Sequence, residues 1–339
     1  MNWGKESGNS VWLAFAGAFI TSLLLVVIAY IALAKGDGSY RNITCRIVGD
    51  KFGKFYTRLT ILVLGPFYAI PRMSAAAWDS VTQAFNLNPH DKLPLIIFTI
   101  IFYVIAYFFL MNPGKAMDRI SSLLFPILLI IVVVIVGKGL ISPISTPTSQ
   151  IYPGSAFAYG FTNGYATAEI LCALIFGVVI FNTLENKGIV QDHMCKNLNY
   201  TALYTAVAGR LLGKAGGMLF SLALFFAALT TAIGMTSGCA EFFVDTTDDK
   251  FNYKQCSIVI LILSIIFGSL GLTSILSILG PVLDGIYPTA IVLVVYYALV
   301  PNAKEDRQLS ACRWAIFASF VFGMIDMVWK YMVAPAPPA

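Results

Sequence analysis

Charge and histidine are scarce in this chain. Lys, Arg, Asp and Glu make up 12% of its 339 residues, about half of the roughly 25% found in a soluble domain, which excludes water as the main solvent. The two histidines, His90 and His193, sit in short polar connections and leave metal chemistry inside a membrane with few ligands. Six cysteines at 45, 172, 195, 239, 256 and 312 form no CxxC pair, so neither a disulfide framework nor a zinc site is indicated. Strict apolar/polar alternation over about 10 residues is also missing, which excludes a transmembrane barrel. A net charge of +5 is too mild to point to nucleic acid.

What is present is apolar and continuous. Hydrophobic residues account for 58% of the chain and the mean hydropathy is +0.80, with runs well beyond the 18 or so residues that mark a transmembrane helix. At about 20 residues per span, the length holds about ten helices and no sizeable soluble domain. The first run, Val11 to Ala34, would be about 36 Å of helix and is too long for a signal-peptide core. Lys35, Arg41, Arg46, Lys51, Lys54 and Arg58 follow against Asp37 and Asp50, so the positive-inside rule puts loop 35–58 in the cytoplasm. Further spans are expected at 59–81, 94–111, 122–141, 166–184, 217–243, 257–279, 281–300 and 313–330. The stretch 198–213 is a short and doubtful span, because Arg210 costs on the order of 2.5 kcal/mol or more at mid-bilayer. The fold class is therefore all-α, a polytopic membrane protein of about 9–10 transmembrane helices in one transporter domain over 1–339.

Three stretches interrupt the apolar runs, and irregular backbone at membrane depth is tolerated only where it faces protein or a polar cavity. In Gly65 to Arg72, Pro66 and Pro71 flank a buried-looking run; each removes a backbone donor. This is either a functional break or a kink with Arg72 satisfied by the freed carbonyls. In Tyr152 to Glu169 three glycines stand among Tyr159, Thr162, Asn163, Tyr165 and Thr167. Glycine lets a ligand approach the backbone, and a following helix N-terminus near Gly164 would offer free N–H groups to a carboxylate; an outer loop with aromatic anchors is the alternative. In Thr230 to Phe243, Thr230, Thr231, Thr236 and Ser237 supply four hydroxyls suited to a sodium ion, or simply small residues at a helix interface.

Ionisable groups within spans are costly and hence functional candidates. Arg72, Asp79, Glu169, Glu241, Asp284 and Asp326 qualify. Arg72, Asp79 and Glu169 are the candidates for proton transfer or gating. Arg72 and Asp79 lie seven residues apart, about 10 Å along a helix, too far for a direct ion pair in a straight one. Among the spans there is no histidine and no acid pair at i, i+3 or i+4, so the nucleophile, base or metal set of an enzyme is not expected.

The same interruptions carry a family resemblance. GPFYAIPR with SAAAWD, FTNGYATAE with FGVVIFN, and TTAIGMTSGCAEFF resemble the branched-chain amino acid carriers, the leucine–isoleucine–valine:cation symporters. NPGK at 112–115, GPVLDGIYP at 280–288 and FGMIDM at 322–327 are weaker matches, and the likeness covers nearly the whole chain. It implies a leucine-transporter-like inverted-repeat fold, here incomplete. Residues 11–141 would be the remnant of a first repeat, 152–300 a second repeat with a shortened helix near 198–213, and 313–330 an additional helix. Relative to the family, a Gly-rich broken helix before Val11, part of a helix after Tyr200 and a last helix are expected to be lacking.

The implied function is cation-coupled symport of leucine, isoleucine and valine into the cell, in a plasma or inner membrane. The coupling ion would be Na+ or H+, with no other cofactor. Phe157, Phe161, Thr162, Asn163, Gly164 and Tyr165 would bind substrate, with the break at Phe161 to Tyr165. Thr230, Thr231, Thr236 and Ser237 would bind the cation. The alternative is a shortened, transport-inactive member or a partner of another membrane protein.

Overall fold

A computed structural model describes residues 6–35, 39–85, 87, 88, 91–111, 125–141, 154–165, 167, 169–176, 202–247, 250–300 and 306–329. His90, NPGK at 112–115, the part of the expected span 166–184 beyond residue 176, His193, Cys195, residues 198–201 and the Arg210 side chain lie outside what is described. Among the described residues eleven helical segments follow in chain order: α1 Gly8–Lys35, α2 Tyr40–Val48, α3 Asp50–Phe85, α4 Lys92–Leu110, α5 Phe125–Ile141, α6 Ala156–Tyr165, α7 169–176, α8 Ala202–Thr246, α9 Tyr253–Gly268, α10 Leu272–Leu299 and α11 Asp306–Val328. The protein is all-α, and among the described residues six helices are long and apolar enough to cross a membrane. Large apolar side chains stand exposed along them, among them Ile97, Ile101 and Phe108 on α4 and Trp314, Phe317 and Phe322 on α11. Exposed apolar surface on this scale suits lipid as the solvent.

The chain divides into two units, Met1–Ala14 with Gly65–Ala156 and Leu198–Ile275, and Phe15–Leu64 with Phe157–Asn197 and Leu276–Ala339. Each unit draws on both of the stretches anticipated as repeats.

In the first unit α8 packs on α3, α4, α5 and α9. Its core is aromatic: Phe225 of α8 meets Phe98 and Phe102 of α4 with ring centroids 6.1 and 5.5 Å apart, and Trp78 of α3 lies 5.5 Å from Phe98. Edge-to-face pairs at these spacings add about 0.5–1.5 kcal/mol each beyond area burial. Ser80 donates to the Ser221 hydroxyl at 2.9 Å and Ser221 to the Ser80 carbonyl at 2.8 Å, a polar clasp between α3 and α8. Gly65 lies against Cys239, with no room for a side chain.

The two prolines of the first interruption do not break α3. Val63–Ala69 is wound as π-helix with Pro66 inside it. Pro71 has no N–H to give, and in an i→i−5 pattern the carbonyl left without a donor is that of Pro66. Ser264 of α9 approaches that carbonyl at 3.5 Å, and Tyr103 of α4 donates to the Ile70 carbonyl at 2.7 Å. The Ser264 hydroxyl thus stands at the carbonyl that Pro71 leaves free, while Tyr103 ties α4 to the neighbouring turn. Arg72 does not reach the freed carbonyls: it lies over the Tyr68 ring, 5.7 Å from the centroid, and touches the Tyr68 hydroxyl at 3.5 Å. Four residues apart, the two share a helix face.

Two expected boundaries move. The turn between α9 and α10 falls at Ser269–Gly271, not at Gly280, because Gly271 takes a left-handed φ of +83° that favours glycine. Pro281 and Pro288 then lie inside α10. The stretches 198–213 and 217–243, anticipated as separate spans, are not separated by a turn: α8 runs 45 residues without a break. That is about 68 Å of helix, roughly twice the hydrocarbon thickness of a bilayer. At the start of α9, Asn252 and Gln255 form a reciprocal capping box, each side chain accepting from the other's backbone N–H at 3.0 Å.

In the second unit α2 is amphipathic and buries Tyr40, Ile43, Thr44 and Ile47, the i, i+3, i+4, i+7 stripe of a surface helix. Gly49, with φ +87°, turns the chain into α3, where Gly53 lies against the backbone of Cys45. At the same end, Lys35 Nζ donates to the Ala298 carbonyl at 2.7 Å, Arg46 to the Tyr297 hydroxyl at 2.8 Å, and Arg313 Nε to the Ile47 carbonyl at 3.0 Å. These bonds join α1, α2, α10 and α11.

Candidate functional site

The second interruption is where the helices part. α6 ends at Tyr165, Thr167 lies in a turn, and α7 begins at Glu169. The break therefore falls just after Phe161–Tyr165, which form the last turns of α6. Gly164 is accordingly near a helix C-terminus, and the N-terminus that follows the break is at Glu169 and Ile170. The glycine is there for packing: a Cβ on it would sit 2.8 Å from the Ala18 Cα, and Gly17 is pressed against the Phe157 carbonyl. Small residues on both partners let α1 and α6 cross at backbone distance.

A helix C-terminus leaves its last four carbonyls without intrahelical donors, Gly164 among them, and α1 brings hydroxyls to this end. Its residues Phe19–Leu24 are wound as π-helix and bury Thr21 and Ser22. Thr21 donates to the Phe161 carbonyl at 2.9 Å and Ser22 to the Gly164 carbonyl at 3.2 Å; Thr167 donates to the same carbonyl at 2.6 Å and stands 3.3 Å from Ser22. The hydroxyl pair Thr21–Ser22 went unnoticed in the sequence, where its one signal is two adjacent polar residues midway through an apolar span.

The six expected substrate residues divide by what they already do. Phe157, Phe161 and Tyr165 fall at i, i+4, i+8 along one face of α6. The phenylalanine rings lie 6.3 Å apart and are exposed, while Tyr165 packs edge-on against Tyr287 of α10 at 4.8 Å. Thr162 and Asn163 bond back onto their own helix, Thr162 to the Ala158 and Tyr159 carbonyls at 3.0 and 3.1 Å and Asn163 to that of Tyr159 at 2.9 Å. Glu169 is half-buried at the start of α7, an electrostatic neighbour of Tyr30 in α1 and Tyr287 in α10. Asp284 and Asp326 are likewise neighbours of Tyr165. They flank a close crossing of α10 and α11, where a Cβ on Gly323 would lie 2.5 Å from the Gly285 carbonyl oxygen.

The four hydroxyls expected to bind a cation lie in the other unit, on α8, and do not converge. With successive residues about 100° apart, Thr230 and Ser237 share one side of the helix while Thr231 and Thr236 point to two others. Thr230 donates to the Ala227 carbonyl at 2.8 Å; Ser237 donates to Glu241 at 3.2 Å and accepts from the Tyr253 hydroxyl at 2.9 Å. Thr236 is fully buried and its hydroxyl has no hydrogen-bond partner. Asp79 is half-buried on α3, its carbonyl accepting from Thr82 at 2.9 Å.

The comparisons with known proteins agree on one family. The family model described as branched-chain amino acid transport protein matches residues 1–208 and 191–335. The chain is 30% identical to the branched-chain amino acid permease BrnQ of Bacillus subtilis over 95% of this chain and 81% of the relative. It is 29% identical to BrnQ of Escherichia coli K12 over 95% and 80%, and 27% identical to the permease BraB of Bacillus subtilis over 95% and 80%. Its multi-pass helical architecture fits a cell-membrane protein of this kind. On these grounds the chain belongs to the family of branched-chain amino acid transport proteins.

Proposed function

We propose that the protein carries leucine, isoleucine and valine inward across the cell membrane by symport with a cation, Na+ or H+, and is not an enzyme. The observation that carries this reading is the interruption between α6 and α7. A free amino acid is a zwitterion, and the interruption offers two opposite dipole ends within a few residues: the C-terminus of α6, which attracts an ammonium group, and the N-terminus of α7, which attracts a carboxylate. The Phe157, Phe161 and Tyr165 face supplies apolar surface for a branched side chain. One methylene is worth about 1–3 kcal/mol in such a pocket, so discrimination among the three substrates is modest. The names of the relatives, all branched-chain amino acid permeases, point the same way.

For the coupling ion, the unpartnered Thr236 hydroxyl is the strongest of the four α8 candidates, and Glu169 is the strongest carrier of a proton because it stands at the interruption itself. Arg72 and Asp79 on α3 remain candidates for gating. Loop 35–58 faces the cytoplasm in this reading; its Lys35 and Arg46 gather with Arg313 at one end of the second unit. The test is uptake of labelled leucine into proteoliposomes under an imposed sodium gradient and, separately, a pH gradient. Accumulation driven by one gradient and not the other identifies the ion; accumulation under neither rejects transport and favours an inactive family member.

A further inference from the structure

The first turns of α3 carry an exposed face that mixes cations with aromatic rings. Lys51, Phe55 and Arg58 fall at i, i+4 and i+7, one stripe of a helix, with Phe52 and Lys54 on its two flanks. Phe52 is 44% and Phe55 61% exposed, and Lys51 and Arg58 are exposed too. The opposite face, Gly53, Tyr56, Thr57 and Thr60, is buried. From 39 to 64 the only acidic residue is Asp50. It meets Lys54 at 3.6 Å, an exposed pair of little energetic weight, so the face keeps an excess of positive charge. Half-exposed Arg41 on the preceding α2 adds to it.

The length of α3 sets the level of this face. Its 36 residues make about 54 Å of helix, against about 30 Å of hydrocarbon. Lys and Arg are costly on a lipid-facing surface at mid-bilayer, whereas the residues from Leu59 to Leu64 are almost all apolar. The surplus length therefore lies at the Asp50 end, and Lys51–Arg58, about 10 Å of helix, stands in the headgroup layer. Exposed phenylalanine is unfavourable in water but suited to the boundary between headgroups and acyl chains. The bonds from Lys35, Arg46 and Arg313 fasten α2 to α10 and α11 beside it.

We propose that this face binds anionic phospholipid, with Lys51, Lys54 and Arg58 engaging the phosphates and Phe52 and Phe55 inserting among the upper acyl chains. Cation and ring lie within one turn of each other, which matches a molecule whose negative headgroup adjoins its hydrocarbon. A small soluble anion would satisfy only the cations, and a lipid without net charge only the rings. In the topology proposed above these lipids belong to the cytoplasmic leaflet. The inference is independent of what the protein carries. Its consequence is that bound lipid braces the corner between α2 and α3, to which α1, α10 and α11 are tied.

The test is equilibrium binding of phosphatidylglycerol and, separately, phosphatidylcholine of the same acyl chains to the detergent-solubilised full chain. Each lipid carries a spin label on one chain and is kept at a few molecules per protein, so that the tightest positions fill first. The unaltered protein is expected to prefer phosphatidylglycerol about tenfold or more at low salt. The preference should shrink severalfold as salt rises from about 0.05 to about 0.5 M and the screening length shortens. Lys51→Gln with Lys54→Gln and Arg58→Gln should remove most of it, about fivefold per charge, and leave phosphatidylcholine unchanged. Phe52→Ala with Phe55→Ala should weaken both lipids alike. Lys250→Gln with Lys254→Gln, exposed charges before and at the start of α9, should change nothing. If the triple variant does not fold, Lys51→Gln alone carries the test with a loss of about fivefold.

No preference in the unaltered protein, a preference that ignores salt, or one that survives loss of the α3 charges overturns the proposal. So does an equal loss in the Lys250 and Lys254 variant, which would assign the effect to net charge, or binding that is indifferent to both rings. Inorganic phosphate at matched ionic strength is not expected to displace the lipid. Displacement would reveal a site for small anions instead of a lipid surface.

Discussion

The Arg46 guanidinium donates to the Tyr297 hydroxyl at 2.8 Å, and that hydroxyl donates onward to the Lys35 carbonyl at 3.4 Å. One tyrosine, 2% exposed, therefore ties the end of α1 and the amphipathic α2 to α10. Tyr297→Phe and Arg46→Gln are each expected to lower the thermal midpoint in detergent, by an amount equivalent to about 1–2 kcal/mol. The double variant should lose less than the sum, with a coupling of about 1 kcal/mol. Additive losses would mean that the two groups act independently.

The crossing of α1 and α6 depends on the absence of side chains. Gly164→Val is expected to abolish leucine uptake while the protein still inserts and elutes as one species, because a Cβ at Gly164 already meets Ala18. Gly137 on α5 has nothing within 4 Å of its Cβ position, so Gly137→Ala should leave uptake within about twofold, Ala being the better helix former by about 1 kcal/mol. Similar effects at both positions would argue against a tight crossing.

The α8 hydroxyls differ in what each has to lose. Thr230→Val removes a bond within its own helix and should change neither stability nor ion dependence appreciably. Ser237→Ala breaks the link between Tyr253 and Glu241 and should lower the thermal midpoint, by about 1–3 kcal/mol equivalent. Thr236→Val fills the same volume without the unpartnered hydroxyl. If the ion binds there, it should raise the sodium concentration for half-maximal uptake at least tenfold with the fold intact. An unchanged sodium dependence would remove Thr236 from the coupling site.

Arg72 rests on the face of Tyr68. Tyr68→Phe keeps the ring and gives up only a long hydrogen bond, so its thermal midpoint should match the parent protein. Tyr68→Leu removes the ring and should cost about 0.5–2 kcal/mol. The reverse order would show that the hydroxyl, and not the ring, holds the arginine.

Much of the helix content could be read from the chain, because apolar runs of about 20 residues have few other uses. The interruption near Tyr165 was legible for a similar reason: glycines and hydroxyls inside an apolar stretch are conspicuous. The turn at Gly271 was not, since Gly280–Pro281 is the stronger local signal and only the left-handed φ at Gly271 decides between them. The α8 hydroxyls illustrate a second limit. Four within eight residues look like a cluster on paper, but the helical period spreads them around the axis. Thr21 and Ser22 show a third, for their role is set by carbonyls 140 and 142 residues away, and no local pattern encodes that distance.

Those separations also set a timetable for assembly. Lys35 meets its acceptor at Ala298, 263 residues later in the chain, so at about 5–20 residues per second of synthesis the lysine waits roughly 13–50 seconds before its partner is made. Neither unit holds all of its segments early: the first is complete only at Ile275, and the second draws its last segment from Leu276–Ala339. During that interval the early helices carry buried hydroxyls and glycine faces that their eventual neighbours have yet to cover. The nascent protein is then at its most exposed to quality control.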